Sequence, residues 1–84
     1  MSTRHRRTLA AVFRDPVSPT IVWDDVEKLL VHQGATIRER SGSRISIILG
    51  EHTMTAHRPH PAKEARRHTI RNVRDFLTLA GVTP

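Results

Sequence analysis

The sequence predicts an α+β domain of order α-β-β-β-α: a three-stranded antiparallel meander, two helices covering one of its faces, and an extra short N-terminal helix in front. Three observations carry this. Apolar residues recur at helical spacing in two segments, Val26-Leu29-Leu30 and Ile70-Val73-Phe76-Leu77-Ala80, while the stretch between them alternates with a period of two. Glycines at positions 34, 42, 50 and 81 fall at the ends of those segments and punctuate them. The length, 84 residues, suits one core rather than two.

A chain this short buries only about 60% of the surface its unfolded form exposes, so marginal stability is expected, which favours a partner or self-association. One Trp, two Phe and no Tyr make the core aliphatic. The absence of cysteine excludes a disulfide scaffold and thiolate metal sites. The opening "MSTRHRRTLAAVFRDPVS" holds no apolar stretch of secretory type, and no run approaches the roughly 20 apolar residues of a membrane span. A soluble cytoplasmic protein without a membrane partner is therefore expected.

Lys and Arg total 14 against 8 acids, a net charge of +6, and 12 of those 14 cations are Arg. The planar guanidinium fork matches phosphate oxygens, so the composition points to nucleic acid; a coding bias towards Arg is the competing explanation.

Taken in order, residues 3–14 read as a short amphipathic helix with Leu9, Val12 and Phe13 on one stripe and Arg4, Arg6, Arg7 and Arg14 mostly off it. Pro16 and Pro19 bracket a linker. Residues 1–20 thus form a basic helix with a proline linker ahead of a main domain at 21–84. Docking on the domain, reaching nucleic acid as an arm and pairing with another subunit are all compatible with that pattern.

The next helix spans about Trp23 to His32, with Asp24, Asp25 and Glu27 in its first turns, where the helix dipole favours acids, and Gly34 as its stop. Trp23 reads as an anchor at the helix start, because base-stacking aromatics come in sets. Three strands follow at about 35–40, 44–49 and 52–57. Gly50-Glu51 suits a type II′ hairpin and sets Leu49 opposite His52, Ile47 opposite Met54, Ile45 opposite Ala56 and Arg44 opposite His57. A three-residue turn, Ser41-Gly42-Ser43, then sets Ile37 opposite Ile47 and Arg40 beside Arg44. Arg40, Arg44 and His57 consequently form one row on the face opposite the core. Like charges across strands cost up to about 1 kcal/mol, so the row is either fully solvated or a phosphate site. "HRPHPAKEARRH" is a loop stiffened by Pro59 and Pro61, and the last helix spans about Arg67 to Ala80 with Gly81 as its stop.

Other chemistries are poorly supplied. Six histidines include His57 and His60 around Pro59, but a histidine pair across a proline shares no helical face and lacks nearby carboxylates, so neither a metal nor another cofactor is expected. No acid is placed to orient His57 for a Ser-His-Asp arrangement, since Glu39 lies on the inner parity of its strand or at its frayed end. The glycines form no phosphate loop.

With this order of elements, residues 21–84 resemble the HicA family of bacterial toxin-antitoxin systems. The resemblance rests on "DDVEKLLVHQGA", on the "SGSR" turn entering the second strand, on the third strand running into "HRPHPAKE", and on "TIRNVRDFLTLAGV". It implies a double-stranded-RNA-binding-domain-like fold, a small ribosome-independent mRNA interferase, and neutralisation by a HicB antitoxin. In the family the turn reads Gly-Ser-His and that histidine is catalytic; here Gly42 and Ser43 match and the third position is Arg44.

RNA cleavage through the 2′-hydroxyl needs a group that takes a proton and one that returns it, and an imidazole with a pKa ordinarily near 6.5 serves both roles. Arginine, above about 12, cannot be a general base, but it binds phosphate and stabilises transition-state charge. Three readings of Arg44 follow. In an active, metal-independent endoribonuclease, His57 carries the proton and Arg44 holds the phosphate. The RNA-contacting set is then Arg38, Arg40, Ser43, Arg44, Arg58, His60 and Lys63. In a catalytically inactive HicA-like module, the same set binds mRNA without cutting it. In the third, Arg44 is a solvated strand-edge residue and the function is pairing with another protein.

Overall fold

The computed structural model describes residues 1–84. Along it run α1 (Thr3–Val12), α2 (Trp23–His32), β1 (Thr36–Glu39), β2 (Arg44–Leu49), β3 (His52–His57) and α3 (Arg67–Leu79). The strands make one antiparallel sheet in the order β1-β2-β3. This is the α-β-β-β-α arrangement the periodicity predicts, with α1 as the extra helix.

The hairpin register follows from its turn. Gly50 has a φ of 61° and Glu51 no positive φ, so the chain reverses in two residues. Leu49 then faces His52, Ile47 faces Met54, Ile45 faces Ala56 and Arg44 faces His57. On the other side Ile37 faces Ile47, and the ladder continues past β1 because the Arg40 amide donates to the Arg44 carbonyl at 2.9 Å. β1 is one residue shorter at each end than expected, and α1 stops at Val12 with Phe13 as its cap.

Ile45 and Ile47 from β2 meet Val26, Leu29 and Leu30 from α2 and Ile70, Val73 and Leu77 from α3, all fully buried. Residues 1–20 do not stand apart from this core. Leu9, Val12 and Val17 belong to it at 4%, 0% and 6% exposure, and side chains of that size each contribute about 1.5–3 kcal/mol when fully buried. Arg74 on α3 adds a polar clamp, donating from Nε to the Val12 carbonyl at 3.0 Å and from Nη2 to the Arg14 carbonyl at 2.7 Å. These two carbonyls at the end of α1 have no helical successors to accept from, so the guanidinium supplies what the helix lacks. Of the three roles compatible with the sequence of this segment, docking is the one the structure shows.

A short bridge positions the functional end of the molecule. The Trp23 amide donates to the Lys63 carbonyl at 3.0 Å, and the Ala65 amide donates to the Ile21 carbonyl at 2.8 Å. The loop after β3 is thereby tied to the start of α2, which sets the beginning of α3 beside the end of β3. No helix is long and apolar enough to cross a membrane.

Candidate functional site

The row on the outer face of the sheet forms as the register requires, with Arg40 beside Arg44 and Arg44 opposite His57. Its charges then separate. Arg40 Nε donates to Ser46 Oγ at 2.8 Å, further along the strand, while Arg44 Nη2 donates to Ser41 Oγ at 2.9 Å, back in the turn. Neither guanidinium has a carboxylate partner. Arg40 also covers Ser46, which is 1% exposed although its parity places it on the outer face.

His57 belongs to a different concavity. A cleft of about 530 Å³ opens between the end of β3 and the start of α3. From the sheet side it is lined by Ser43, Thr55, His57, Arg58 and His60, and from the helix side by Arg66, His68, Thr69 and Asn72. The first turn of α3 has unusual electrostatics: it has no side-chain cap and no acid, and Arg66, Arg67 and His68 stand where acids are favoured. Its free amide donors and the positive end of the dipole are reinforced by cations, a combination that suits an anion. His57, His60 and His68 are all exposed, so three imidazoles are available to a ligand in one cleft.

Arg58 holds the floor of this site in place. It follows His57 and lies on the inner parity, where its Nε and Nη2 donate to the two oxygens of Glu27 at 2.8 and 3.0 Å and its Nη1 donates to Glu39 at 2.7 Å. These hydrogen bonds, Glu27 first and Glu39 second, raise the guanidinium pKa further above its ordinary value. Trp23, 4% exposed, donates its indole N–H to the same Glu27 at 2.5 Å, in keeping with an anchoring role at the start of α2. The Arg58 amide donates to the Ser43 carbonyl at 2.8 Å, which pins the turn to β3. The side chain expected to contact RNA thus pairs with two carboxylates, and its amide holds the backbone next to His57 against the turn.

Of the residues singled out from sequence, Ser43, His57, Arg58 and His60 come together in the cleft, and Arg38, Arg40, Arg44 and Lys63 lie outside it. The latter four are exposed, and Lys63 contributes its carbonyl to the bridge with Trp23. Arg66, His68, Thr69 and Asn72 are the members that sequence reasoning missed. Their signal was present: a helix that starts Arg66-Arg67-His68 without cap or acid is locally unfavourable unless something negative approaches it.

A family model described as the HicA toxin of bacterial toxin-antitoxin systems matches residues 23–82, from the first residue of α2 to just beyond α3. Neither a curated protein nor a solved structure matches the chain.

Proposed function

Given a chain that belongs to the HicA toxin family of bacterial toxin-antitoxin systems, we propose that it is an RNA-directed toxin that binds mRNA and cleaves it in the cleft between β3 and α3. The observation that carries this reading is the convergence of His57, His60 and His68 at the uncapped, cation-rich start of α3. On this reading the α-β-β-β-α core is of the double-stranded-RNA-binding-domain type, and a HicB-like antitoxin neutralises the protein.

The chemistry follows from the residues. His57 takes the proton from the 2′-hydroxyl, whose oxygen attacks the adjacent phosphorus. A second imidazole of the cleft, His60 or His68, gives a proton to the departing 5′-oxygen, leaving a 2′,3′-cyclic phosphate and a 5′-hydroxyl. Charge building on the non-bridging oxygens is met by the first-turn amides of α3 and by Arg66. Arg38, Arg40, Arg44 and Lys63 hold neighbouring phosphates outside the cleft. No step requires a metal.

Arg44 itself favours a second reading, because it occupies the position at which the family resemblance places a catalytic histidine. The protein would then hold RNA without cutting it. Incubating it with unstructured RNA in a chelator separates the two. Cleavage by the wild type that disappears in His57→Ala, with binding retained, is the expected result. Cleavage surviving His57→Ala would remove His57 as proton carrier, and tight binding without cleavage by the wild type would establish the inert domain.

A further inference from the structure

We propose that Arg14, Arg67 and Arg71 form a second subsite for the RNA backbone, built by the N-terminal segment and the side of α3 away from His57. The inference rests on the RNA-directed reading above and extends it to a longer stretch of the strand. A cleft of about 730 Å³ is lined by these three arginines, by Asp15 and by the turn at residues 16–19. Val17, 6% exposed, anchors that turn in the core.

The arrangement is unfavourable without an anion. Arg67 and Arg71 are four residues apart on α3, where like charges destabilise a helix by about 0.2–0.5 kcal/mol, and Arg67 also stands at the positive end of the dipole. The molecule contains three ion pairs, and none involves Arg14, Arg67 or Arg71, even though Asp15 lines the same cleft. All three arginines are exposed and carry forks suited to phosphate oxygens.

The position of Arg14 is also set in advance, since its carbonyl accepts from Arg74 Nη2 at 2.7 Å. The start of α3 is shared between the two clefts: Arg66 and His68 line the one containing His57, and Arg67 and Arg71 line the other. A single strand passing over this first turn therefore meets cations on both sides. No aromatic ring lines the second cleft, so it engages phosphates and is indifferent to base. Arg14 lies outside residues 23–82, which makes the subsite a property of this chain's own N-terminal segment.

The test measures fluorescence anisotropy of two probes, a 2′-O-methylated uridine tetranucleotide and a long 2′-O-methylated poly-uridine strand, against salt. With Arg14 and Arg71 both changed to Ala, the log-log salt slope for the long strand is expected to become shallower by about 1.4, at about 0.7 for each phosphate no longer neutralised. Tetranucleotide binding stays as in the wild type, because neither residue lines the cleft of His57, and the double Lys variant keeps the wild-type slope. If the wild type binds the long strand and the double Ala variant leaves its slope unchanged, the second subsite is refuted while the RNA reading stands. If the wild type binds neither probe at low salt, both fail.

Discussion

Replacing Glu27 with alanine removes the acceptor of three hydrogen bonds, from Trp23 Nε1 at 2.5 Å and from Arg58 Nε and Nη2 at 2.8 and 3.0 Å. The consequences differ for the two donors. Arg58 is 37% exposed and retains Glu39, so water and the remaining carboxylate recover part of its loss. The Trp23 indole is 4% exposed in total and is left without a partner, at a cost of about 1–3 kcal/mol for an unsatisfied buried group. Adding a discounted contribution from the half-buried ion pair gives a loss of about 2–3 kcal/mol. Glu39→Ala removes a single ion pair made by a carboxylate that is 78% exposed and should cost about 0–1 kcal/mol. Urea titration reads both, since a slope of about 1–3 kcal/mol per molar places the Glu27→Ala midpoint well below that of Glu39→Ala. Equal midpoints, or a greater loss from Glu39→Ala, would refute the assignment of Glu27 as the organising acceptor. Arg58 adds no pH dependence near neutrality. Its raised pKa contributes stability that is complete below the ordinary arginine range and is lost only above it.

Deleting residues 1–20 withdraws Leu9, Val12 and Val17 from the core and should cost about 5 kcal/mol, enough to abolish cooperative unfolding in a domain of this size; an unchanged Tm would contradict the docked role of α1. Ile47→Ala, at a fully buried position facing Ile37 and Met54, should cost about 2–5 kcal/mol and lower Tm by more than about 10 °C in a thermal melt. Arg44→Ala breaks only an exposed hydrogen bond with Ser41 and should change stability by less than about 0.5 kcal/mol. The same variant should flatten the salt slope of RNA binding by about 0.7.

Much of the fold was legible because local rules agreed. Gly50 could supply the positive φ of a two-residue turn, and the alternation of Ile45 and Ile47 with Arg44 and Ser46 left one register in which apolar residues met. The docking of α1 was less accessible. Its stripe of Leu9 and Val12 announced burial without saying against what, and the clamp from Arg74 spans 62 residues. The site divided in the same way. The place of His57, opposite Arg44, could be read from turn geometry, whereas His68 and Asn72 reach the cleft only because the bridge between residues 21–23 and 63–65 seats α3 beside β3. Arg58 shows a signal left unused. An arginine on the inner parity of a strand needs acids, and Glu39 shares that parity while Glu27 faces it from α2. Ser46 reversed its expected exposure because a long arginine stem shields a small neighbour, which parity alone does not encode.

RNA in the proposed cleft of His57, His60 and His68 would be reported by the histidines themselves. Ring nitrogen NMR of the wild type, titrated with a 2′-O-methylated single-stranded RNA that cannot be cleaved, resolves all six imidazoles in one experiment. The expected result is that His57, His60 and His68 shift together, while His5 and His32, stacked on each other between α1 and α2, and His52 at the far end of β3 do not. Shifts confined to His5, His32 and His52, or no shift at all with RNA bound, would contradict it.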